Sequence, residues 1–290
     1  MSIWHIYGGN RLTGSTRVQG AKNAVLPIMA ASVLSGGETV LHNVPDLRDV
    51  TTTLRILQHL GCTAVRDGDT VRIDSRGMHC DFIPHALMRE LRSSVIFLGA
   101  ILARFGTARL SMPGGCELGP RPVNLHLDAL RALGAEVTER GGDIICRAHA
   151  LQGRRILLPF PSVGATENAM LAACAAAGET VICNAAREPE IADLQCYLRK
   201  LGADISGAGT STVTVGGFRP RPFVEHTIMP DRIVAATILC AAAACGGEVE
   251  LQDVDPAHFS TVLDSLSEAG CAIITAASAV RLTSDGQLTA

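Results

Sequence analysis

The sequence predicts an α/β (α+β) fold assembled from repeated units, in which helices pack beneath mixed sheets. Three observations predict it: a recurring phrase, a recurring helix and strand before that phrase, and a composition that is 47% apolar but only 3% aromatic. This composition is typical of a globular chain whose core consists of Ala, Val, Leu and Ile. Its 290 residues suffice for one large or two ordinary domains.

The recurring phrase predicts a helix end followed by a β-hairpin. It occurs as LQHLGCTAV, LRALGAEV, LRKLGADI and LSEAGCAI, beginning at Leu57, Leu130, Leu198 and Leu266. Its glycines lie 73, 68 and 68 residues apart and are Gly61, Gly134, Gly202 and Gly270. A helix ends readily at glycine because the left-handed conformation carries no Cβ penalty there. The runs that follow, TVRIDS, DIICRA, TVTVGG and AVRLTS, predict strands.

An Ala- and Leu-rich helix and a short strand precede this phrase in every copy. The helices are predicted over residues 24–37, 95–106, 168–178 and 233–247, and the strands at ETVLHN, TARLSM, ETVICN and EVELQD. Each unit spans about 68 residues and is expected to open with a short strand of its own, such as residues 16–19. Because these helices are apolar nearly all round, they are predicted to be buried between repeats.

Charge and cysteine usage exclude several classes of partner. A net charge of −3 offers no basic surface for nucleic acid or for an anionic membrane. The longest apolar stretch, residues 233–245, is shorter than the roughly 20 residues that span a bilayer. The ten cysteines form no C-x-x-C pair, which is typical of reduced thiols and predicts a cytoplasmic location. No metal and no cofactor are expected, since the cluster of His79, Cys80 and His85 lacks a second ligand pair.

Two segments carry residues suited to acid–base or phosphate chemistry. Lys22 and Asn23 follow a predicted strand at a helix start, where free N–H groups favour an anion; a solvated lysine beside a capping asparagine is the alternative. The loop of residues 112–122 contains Cys116 among glycines and prolines, beside Arg121. A thiol in that setting can act as an acid or a nucleophile, whereas an inert core thiol is the ordinary expectation for the other cysteines.

Two further segments suit an anionic ligand. Arg89, Arg92 and Arg104 lie near a helix predicted over residues 87–105, where Arg92 could clamp a phosphate or only be solvated. SVGATEN at residues 162–168 is predicted to open a helix, and the polar segment 184–190 to link a strand to a helix. These residues fit either a diphosphate site or an ordinary N-cap completed by Glu167. Without a P-loop or a G-x-G-x-x-G motif, these segments indicate phosphorylated substrates handled without nucleotide hydrolysis or hydride transfer.

Long motifs at these segments resemble one known family. They are GAKNA (20–24), RSS (92–94), LARFG (102–106), PGGC with G, RPV and LH (113–126), SVGATEN (162–168), NAAREPEI with D (184–193) and MPDRI (229–233). The chain resembles the UDP-N-acetylglucosamine 1-carboxyvinyltransferases, the enolpyruvyl transferases of peptidoglycan synthesis. The resemblance covers the whole chain.

The resemblance implies a fold and a domain organisation. The fold is an inside-out, barrel-like arrangement of βαβαββ units with buried helices and outer sheets, and each of two domains contains three units. Residues 22–227 then correspond to one complete domain, and residues 1–21 with 228–290 to part of a second. Because four units are present where the family has about six, we expect the chain to be the N-terminal portion of a longer enzyme.

The resemblance also implies a reaction and the residues that perform it. The family transfers the enolpyruvyl group of phosphoenolpyruvate to the 3′-hydroxyl of UDP-N-acetylglucosamine and releases phosphate. Cys116 resembles the family's proton donor, and Lys22, Asn23 and Arg121 resemble its phosphoenolpyruvate ligands. The residues that resemble the UDP-N-acetylglucosamine site are Asn23, Arg92, Arg121, Pro122, Val123, Asn124, Leu125, Ser162, Val163 and Gly164.

Two positions depart from the family pattern. Asn124 stands where the family usually has Asp, and Phe160 where Lys is common. None of the aspartates near the end of the chain lies in a motif matching the base that takes the proton of the sugar hydroxyl. The alternative function is therefore a non-catalytic paralogue that binds a UDP-sugar or acts as a regulator; protein partners are not predicted.

Overall fold

The structure, a computed structural model, describes residues 3–5, 7–111 and 123–289. Its α-helices are α1 Lys22–Ala31, α2 Arg48–His59, α3 His85–Glu90, α4 Phe97–Phe105, α5 Asn124–Ala132, α6 Val163–Ala173, α7 Pro189–Leu201, α8 Arg232–Cys245 and α9 Ser260–Glu268. Its strands are β1 Leu12–Arg17, β2 Glu38–His42, β3 Thr63–Asp67, β4 Thr70–Asp74, β5 Phe82–Ile83, β6 Thr107–Ser111, β7 Glu136–Arg140, β8 Asp143–Arg147, β9 Arg155–Leu157, β10 Thr180–Cys183, β11 Ala203–Ser206, β12 Thr212–Phe218, β13 Phe223–Thr227, β14 Gly247–Gln252, β15 Ala272–Ala276 and β16 Ala279–Ser284. Short 3-10 helices cover Ser32–Leu34, Arg92–Ile96 and Pro256–Phe259.

The chain divides into a large unit, Lys22–Met229, and a small unit, Met1–Ala21 with Pro230–Ala290. Each sheet among the described residues has four strands in the same arrangement. An opening strand pairs in parallel with a second strand, and this second strand pairs antiparallel with one of the two strands of a β-hairpin. The sheets of the large unit run β13-β2-β4-β3, β5-β6-β8-β7 and β9-β10-β12-β11, and that of the small unit runs β1-β14-β16-β15. The sequence repeat is thus a structural repeat.

Glycines end the hairpin-side helix of every copy, as the sequence predicts. Gly61, Gly134, Gly202 and Gly270 have φ angles of 98°, 95°, 112° and 102°. The tightest of these turns is at Gly202, where an added Cβ would lie 1.9 Å from the carbonyl oxygen of Arg219. Glycine is therefore required there both by conformation and by space.

The apolar helices of the large unit form its core, which confirms that part of the prediction. Residues 24–31 of α1, 97–102 of α4 and 165–173 of α6 are all buried, and α4 packs against both α1 and α6. Small residues allow the close approach, since a Cβ on Gly99 of α4 would lie 2.5 Å from the backbone oxygen of Asn168. The hairpin-side helices α2, α5 and α7 are amphipathic, and each packs against α1 or α6.

The equivalent helix of the small unit is buried on one side only. Among its fourteen residues, α8 buries Ala235, Leu239, Ala242 and Ala243 against its own sheet. Ile233 and Cys240 are exposed, although the stretch from 233 to 245 carries no charge. In the described part of the chain, no helix has the length and apolar character needed to cross a membrane.

Three sequence-based boundaries are wrong. The strand expected at residues 16–19 is β1, which begins at Leu12 and pairs with β14, so it opens the fourth copy, while β13 opens the first. The single helix expected over 87–105 is interrupted at Leu91, whose φ and ψ of −129° and 108° are extended. The helix expected over 168–178 ends at Ala173, and its start at Val163 agrees instead with the prediction that residues 162–168 open a helix. Apolar residues continue beyond the helix ends at Leu91 and Ala173, which is why apolar periodicity does not reveal those two ends.

Candidate functional site

The starts of α5 and α6 lie side by side in the large unit and carry two of the predicted segments. Asn124 is the first residue of α5 and Val163 the first of α6, and the two helices pack against each other. Ser162 caps α6, because its Oγ accepts a hydrogen bond from the N–H of Ala165 at 3.4 Å. Helix starts leave N–H groups without intrahelical acceptors. The packing therefore gathers donors from two helices in one place, as an anionic ligand requires.

His126 fills the space between these two helix starts. It belongs to the first turn of α5, and its ring lies against Gly164 in the first turn of α6. A Cβ added to Gly164 would lie 2.8 Å from Cε1 and 3.2 Å from Nε2 of His126. Burial lowers the pKa of His126 to about 4, so the imidazole is neutral at physiological pH. His126 ends the family motif of residues 113–126, but the sequence assigns it no role, because a histidine between two leucines of a helix is equally typical of an ordinary core position.

Thr166 connects α6 to the polar segment 184–190. Its hydroxyl donates to the carbonyl of Ser162 at 2.8 Å and accepts from the N–H of Ala186 at 3.0 Å. Asn184, at a positive φ of 56°, donates from Nδ2 to the carbonyl of Leu158 at 2.8 Å. The two segments that the sequence treats separately are thus bonded into one surface of the large unit.

Glu167 does not complete the N-cap, which corrects one sequence-based alternative. In a capping box, the side chain three residues after the N-cap accepts a hydrogen bond from the N–H of the N-cap residue. With Ser162 as N-cap that position is Ala165, whereas Glu167 lies two residues further on and is buried. Burial, followed by the charges of Glu190 and Glu188, raises the pKa of Glu167 well above its ordinary value. Burial therefore favours the neutral form of this carboxyl group.

Lys22 and Asn23 occupy the start of α1 and are both exposed. Nζ of Lys22 lies 2.6 Å from Oδ2 of Asp49, in the first turn of α2. The predicted position of these two residues at a helix start is confirmed. Their contact with a substrate remains a prediction.

Arg92 begins the 3-10 helix Arg92–Ile96, directly after the break at Leu91. Only its backbone is described. Arg104, near the end of α4, lies against the turn at Gly36, where an added Cβ would be 2.6 Å from its guanidinium nitrogen. Arg104 therefore packs against the polypeptide backbone of a turn.

Cys116, Arg121 and Pro122 lie outside the described residues. The nine described cysteines are free thiols. Burial raises the pKa of Cys146 and of Cys174 to about 12, as expected for inert core thiols. Cys196, Cys240 and Cys245 are instead exposed, so the expectation of a core position does not hold for these three.

Val123 and Leu125 flank Asn124 at the start of α5 and are partly exposed. Phe160 precedes the cap of α6 by two residues and is 64% exposed. In the described ranges, no group of three or more His, Cys, Asp or Glu residues is arranged to hold a metal ion. Cys80 Sγ lies 3.9 Å from Nε2 of His59, a contact that the sequence cluster of His79, Cys80 and His85 does not anticipate.

Comparison with known proteins identifies the fold and the family. The sequence model of EPSP synthase (3-phosphoshikimate 1-carboxyvinyltransferase) matches residues 6–289. The enolpyruvyl transferase NikO from Streptomyces tendae superposes with a TM-score of 0.84 at 25% identity, over 96% of this chain and 67% of that one. EPSP synthase from Acinetobacter baumannii shares the fold, with a TM-score of 0.70 at 20% identity over 97% of this chain and 66% of that one. The predicted enolpyruvyl transferase fold, with buried helices and outer sheets, is confirmed.

Curated relatives share the predicted family name. UDP-N-acetylglucosamine 1-carboxyvinyltransferase 2 of Caldanaerobacter subterraneus subsp. tengcongensis is 46% identical over 98% of this chain and 68% of its own length. UDP-N-acetylglucosamine 1-carboxyvinyltransferase 1 of Symbiobacterium thermophilum is 49% identical over 92% of this chain and 62% of its own length. The chain thus spans about two thirds of the length of these relatives. It belongs to the EPSP synthase family and, within that family, to the UDP-N-acetylglucosamine 1-carboxyvinyltransferases.

Proposed function

We propose that this chain supplies the nucleotide-sugar site and the proton donor of a transferase that moves the enolpyruvyl group of phosphoenolpyruvate to the 3′-hydroxyl of UDP-N-acetylglucosamine. The observation that carries the proposal is the meeting of the helix starts at Asn124 and Val163, within the two segments that resemble the family's uridine-diphosphate site. Their N–H groups suit the diphosphate.

The two substrates are assigned to different helix starts. Phosphoenolpyruvate is held by Lys22, Asn23 and Arg121, since an ammonium and a guanidinium neutralise its phosphate. Asn23 and Arg92 also contact the sugar nucleotide. The remaining ligands of UDP-N-acetylglucosamine are Arg121, Pro122, Val123, Asn124, Leu125, Ser162, Val163 and Gly164. The exposure of Lys22 and Asn23 at the start of α1 supports this assignment.

The chemistry requires an acid, a base and stabilisation of charge. The thiol of Cys116 gives its proton to C3 of phosphoenolpyruvate, so that positive charge develops at C2. The 3′-oxygen of the sugar forms a bond to C2 while its hydroxyl proton passes to a base. C3 then returns a proton to the Cys116 thiolate and the bond from C2 to the phosphate oxygen breaks, which leaves the enolpyruvyl ether and inorganic phosphate. Lys22 and Arg121 hold the departing phosphate.

Full activity requires protein beyond the two units of this chain. The exposed, uncharged side of α8 supports this, because the equivalent helices α1, α4 and α6 are buried by one another in the large unit. A groove of about 560 Å³ on that side is lined by residues 257–262 and, from α8, by Arg232, Ile233, Ala236, Thr237 and Cys240. We expect two further copies of the repeat to cover α8, as in the large unit, and to bring the base for the sugar hydroxyl.

Phosphate release tests the function. The chain is incubated with phosphoenolpyruvate and UDP-N-acetylglucosamine, alone and with the C-terminal third of the Caldanaerobacter relative as a separate polypeptide. We expect phosphate only from the mixture, and none with Cys116→Ala. Cys196→Ala, which removes an exposed thiol, is the matched control and should keep full activity. Release by the chain alone that survives Cys116→Ala would contradict both the requirement for further protein and the role of Cys116.

A second candidate is a module that binds a UDP-sugar without catalysis. Asn124 and the exposed aromatic side chain of Phe160 favour it, since both replace charged residues usual in the family. Calorimetry with UDP-N-acetylglucosamine and labelling by an epoxide such as fosfomycin separate the two functions. Binding together with alkylation of Cys116 supports the transferase, whereas binding without alkylation supports the module.

A cytoplasmic location is part of the same proposal. The nine described cysteines include three exposed thiols and form no disulfide, which suits a reducing compartment. Phosphoenolpyruvate and UDP-N-acetylglucosamine are the expected small-molecule partners.

A further inference from the structure

Asn168 is a buried residue of α6 that bonds to three other elements of the large unit. It has no exposed surface. Its Oδ1 accepts from the N–H of Gly99 in α4 at 2.7 Å, and its Nδ2 donates to the carbonyl of Val95 at 2.9 Å and to Nδ1 of His126 at 2.8 Å. The first two partners fix the orientation of the amide, because an N–H must face its oxygen and a carbonyl must face its nitrogen.

This orientation determines the tautomer of His126. Since Nδ2 of Asn168 can only donate, Nδ1 of His126 must accept and its ring proton must reside on Nε2. Burial keeps the ring neutral by lowering the pKa of His126 to about 4, and no charged side chain contributes to that shift. His126 therefore presents one fixed neutral donor, Nε2–H, across the physiological pH range.

That donor has no partner among the described residues, although His126 is only 9% exposed. Nε2 itself is not among the fully buried side-chain atoms that lack a partner, so it can be reached from outside and is available to an acceptor. Its surroundings point to an anion: Nε2 lies beside Gly164, and the N–H groups of Val163 and Gly164 are in the first turn of α6, where helices leave donors free. Three donors, two of the backbone and one of an imidazole, thus lie at the same helix start.

We propose that His126 donates from Nε2 to an oxygen of the bound nucleotide diphosphate, and that Asn168 is the positioning residue that keeps the proton on that nitrogen. The inference rests on the proposed function, because it assigns the ligand to the same site. It also explains the glycine at position 164: any side chain there would displace the imidazole ring.

Titration calorimetry with UDP-N-acetylglucosamine at pH 7.5 tests the donor. We expect His126→Leu to weaken binding about 10- to 100-fold, the range for a hydrogen bond to a charged group. His126→Gln, which keeps an N–H donor, should recover part of the loss, and the exposed His149→Leu should bind like the parent chain. Equal affinity of parent and His126→Leu would overturn this inference alone, whereas a parent chain that binds no UDP-sugar would overturn the proposed function with it.

Two measurements address the tautomer. Nitrogen NMR of the parent chain should show the proton on Nε2 of His126 between pH 6 and 8, with a shift of that resonance on addition of UDP-N-acetylglucosamine. A proton on Nδ1, or no shift at saturation, would overturn the proposal even if no variant folds.

Asn168→Asp should draw the proton of His126 to Nδ1, so that affinity for UDP-N-acetylglucosamine rises as the pH falls and the ring gains a second proton. The parent's affinity should not vary over this range, and a flat profile in folded Asn168→Asp would also overturn the proposal.

Discussion

Nζ of Lys22 and Oδ2 of Asp49 lie 2.6 Å apart and join the first residue of α1 to the first turn of α2. The Lys22 side chain is 46% exposed and that of Asp49 is 28% exposed, so the pair contributes at most about 1 kcal/mol to stability. The contact holds the ammonium group at a helix start, where an arriving anion would also be attracted. We therefore predict that Lys22 contributes more to phosphate binding than to the stability of the fold.

Lys22→Gln should weaken phosphoenolpyruvate binding about 10- to 100-fold, because it removes a charge-assisted hydrogen bond to phosphate. Its free energy of unfolding should change by less than about 1 kcal/mol. Calorimetric titration and urea unfolding measure the two effects. The chain has one other lysine, Lys200, whose Nζ donates to the carbonyl of Glu225, so Lys200→Gln is a matched control and should leave binding unchanged. Similar losses in both variants would contradict a specific role for Lys22.

The repeat and its turns could be predicted because they depend on local sequence. A glycine at a helix end and the alternation of apolar and polar residues in the following strand are visible in any one copy of the repeat. The structure has both features at Gly61 and at Gly202. The break at Leu91 could not be predicted, because apolar residues continue beyond it and tertiary packing decides where the helix ends. The same limit applies to the site: the cap at Ser162 is a local motif, whereas the contact of His126 with a glycine 38 residues away depends on how α5 packs on α6.

Gly202→Ala should destabilise the chain by more than about 2 kcal/mol, since positive φ costs a non-glycine residue about 1–2 kcal/mol before any clash. The clash is severe, because the new Cβ would lie 1.9 Å from the carbonyl oxygen of Arg219. Gly209→Ala is the matched control, with a φ of 87° but no atom within 4 Å of the added Cβ. It should show the conformational cost alone. Equal losses of unfolding free energy in the two variants would show that space at Gly202 is not limiting.

Glu167→Gln should stabilise the chain, and more so at pH 8 than at pH 4. Burial raises the folded-state pKa of Glu167 above its unfolded value, so below the unfolded pKa the carboxyl is neutral in both states and costs nothing. As the pH rises, only the unfolded state ionises freely and stability falls, by about 1.4 kcal/mol for each unit between the two pKa values. Glutamine removes this loss. Urea unfolding across the pH range measures it, with the exposed Glu179→Gln as a control that should show no such trend. A Glu167→Gln gain that is independent of pH would contradict a raised pKa.

Tyr197 and Thr39 provide a test of a buried polar contact by a double-mutant cycle. Their hydroxyl oxygens are 2.9 Å apart, and neither side chain has exposed surface. Tyr197→Phe should cost about 1–3 kcal/mol, because the Thr39 hydroxyl in β2 then stays buried without a partner. Thr39→Val should cost a similar amount by leaving the phenol unpaired. The double variant replaces both groups with apolar atoms of nearly the same shape, so its loss should be smaller than the sum of the single losses. Urea unfolding of the four proteins measures the coupling, and strict additivity would show that the two hydroxyls do not depend on each other.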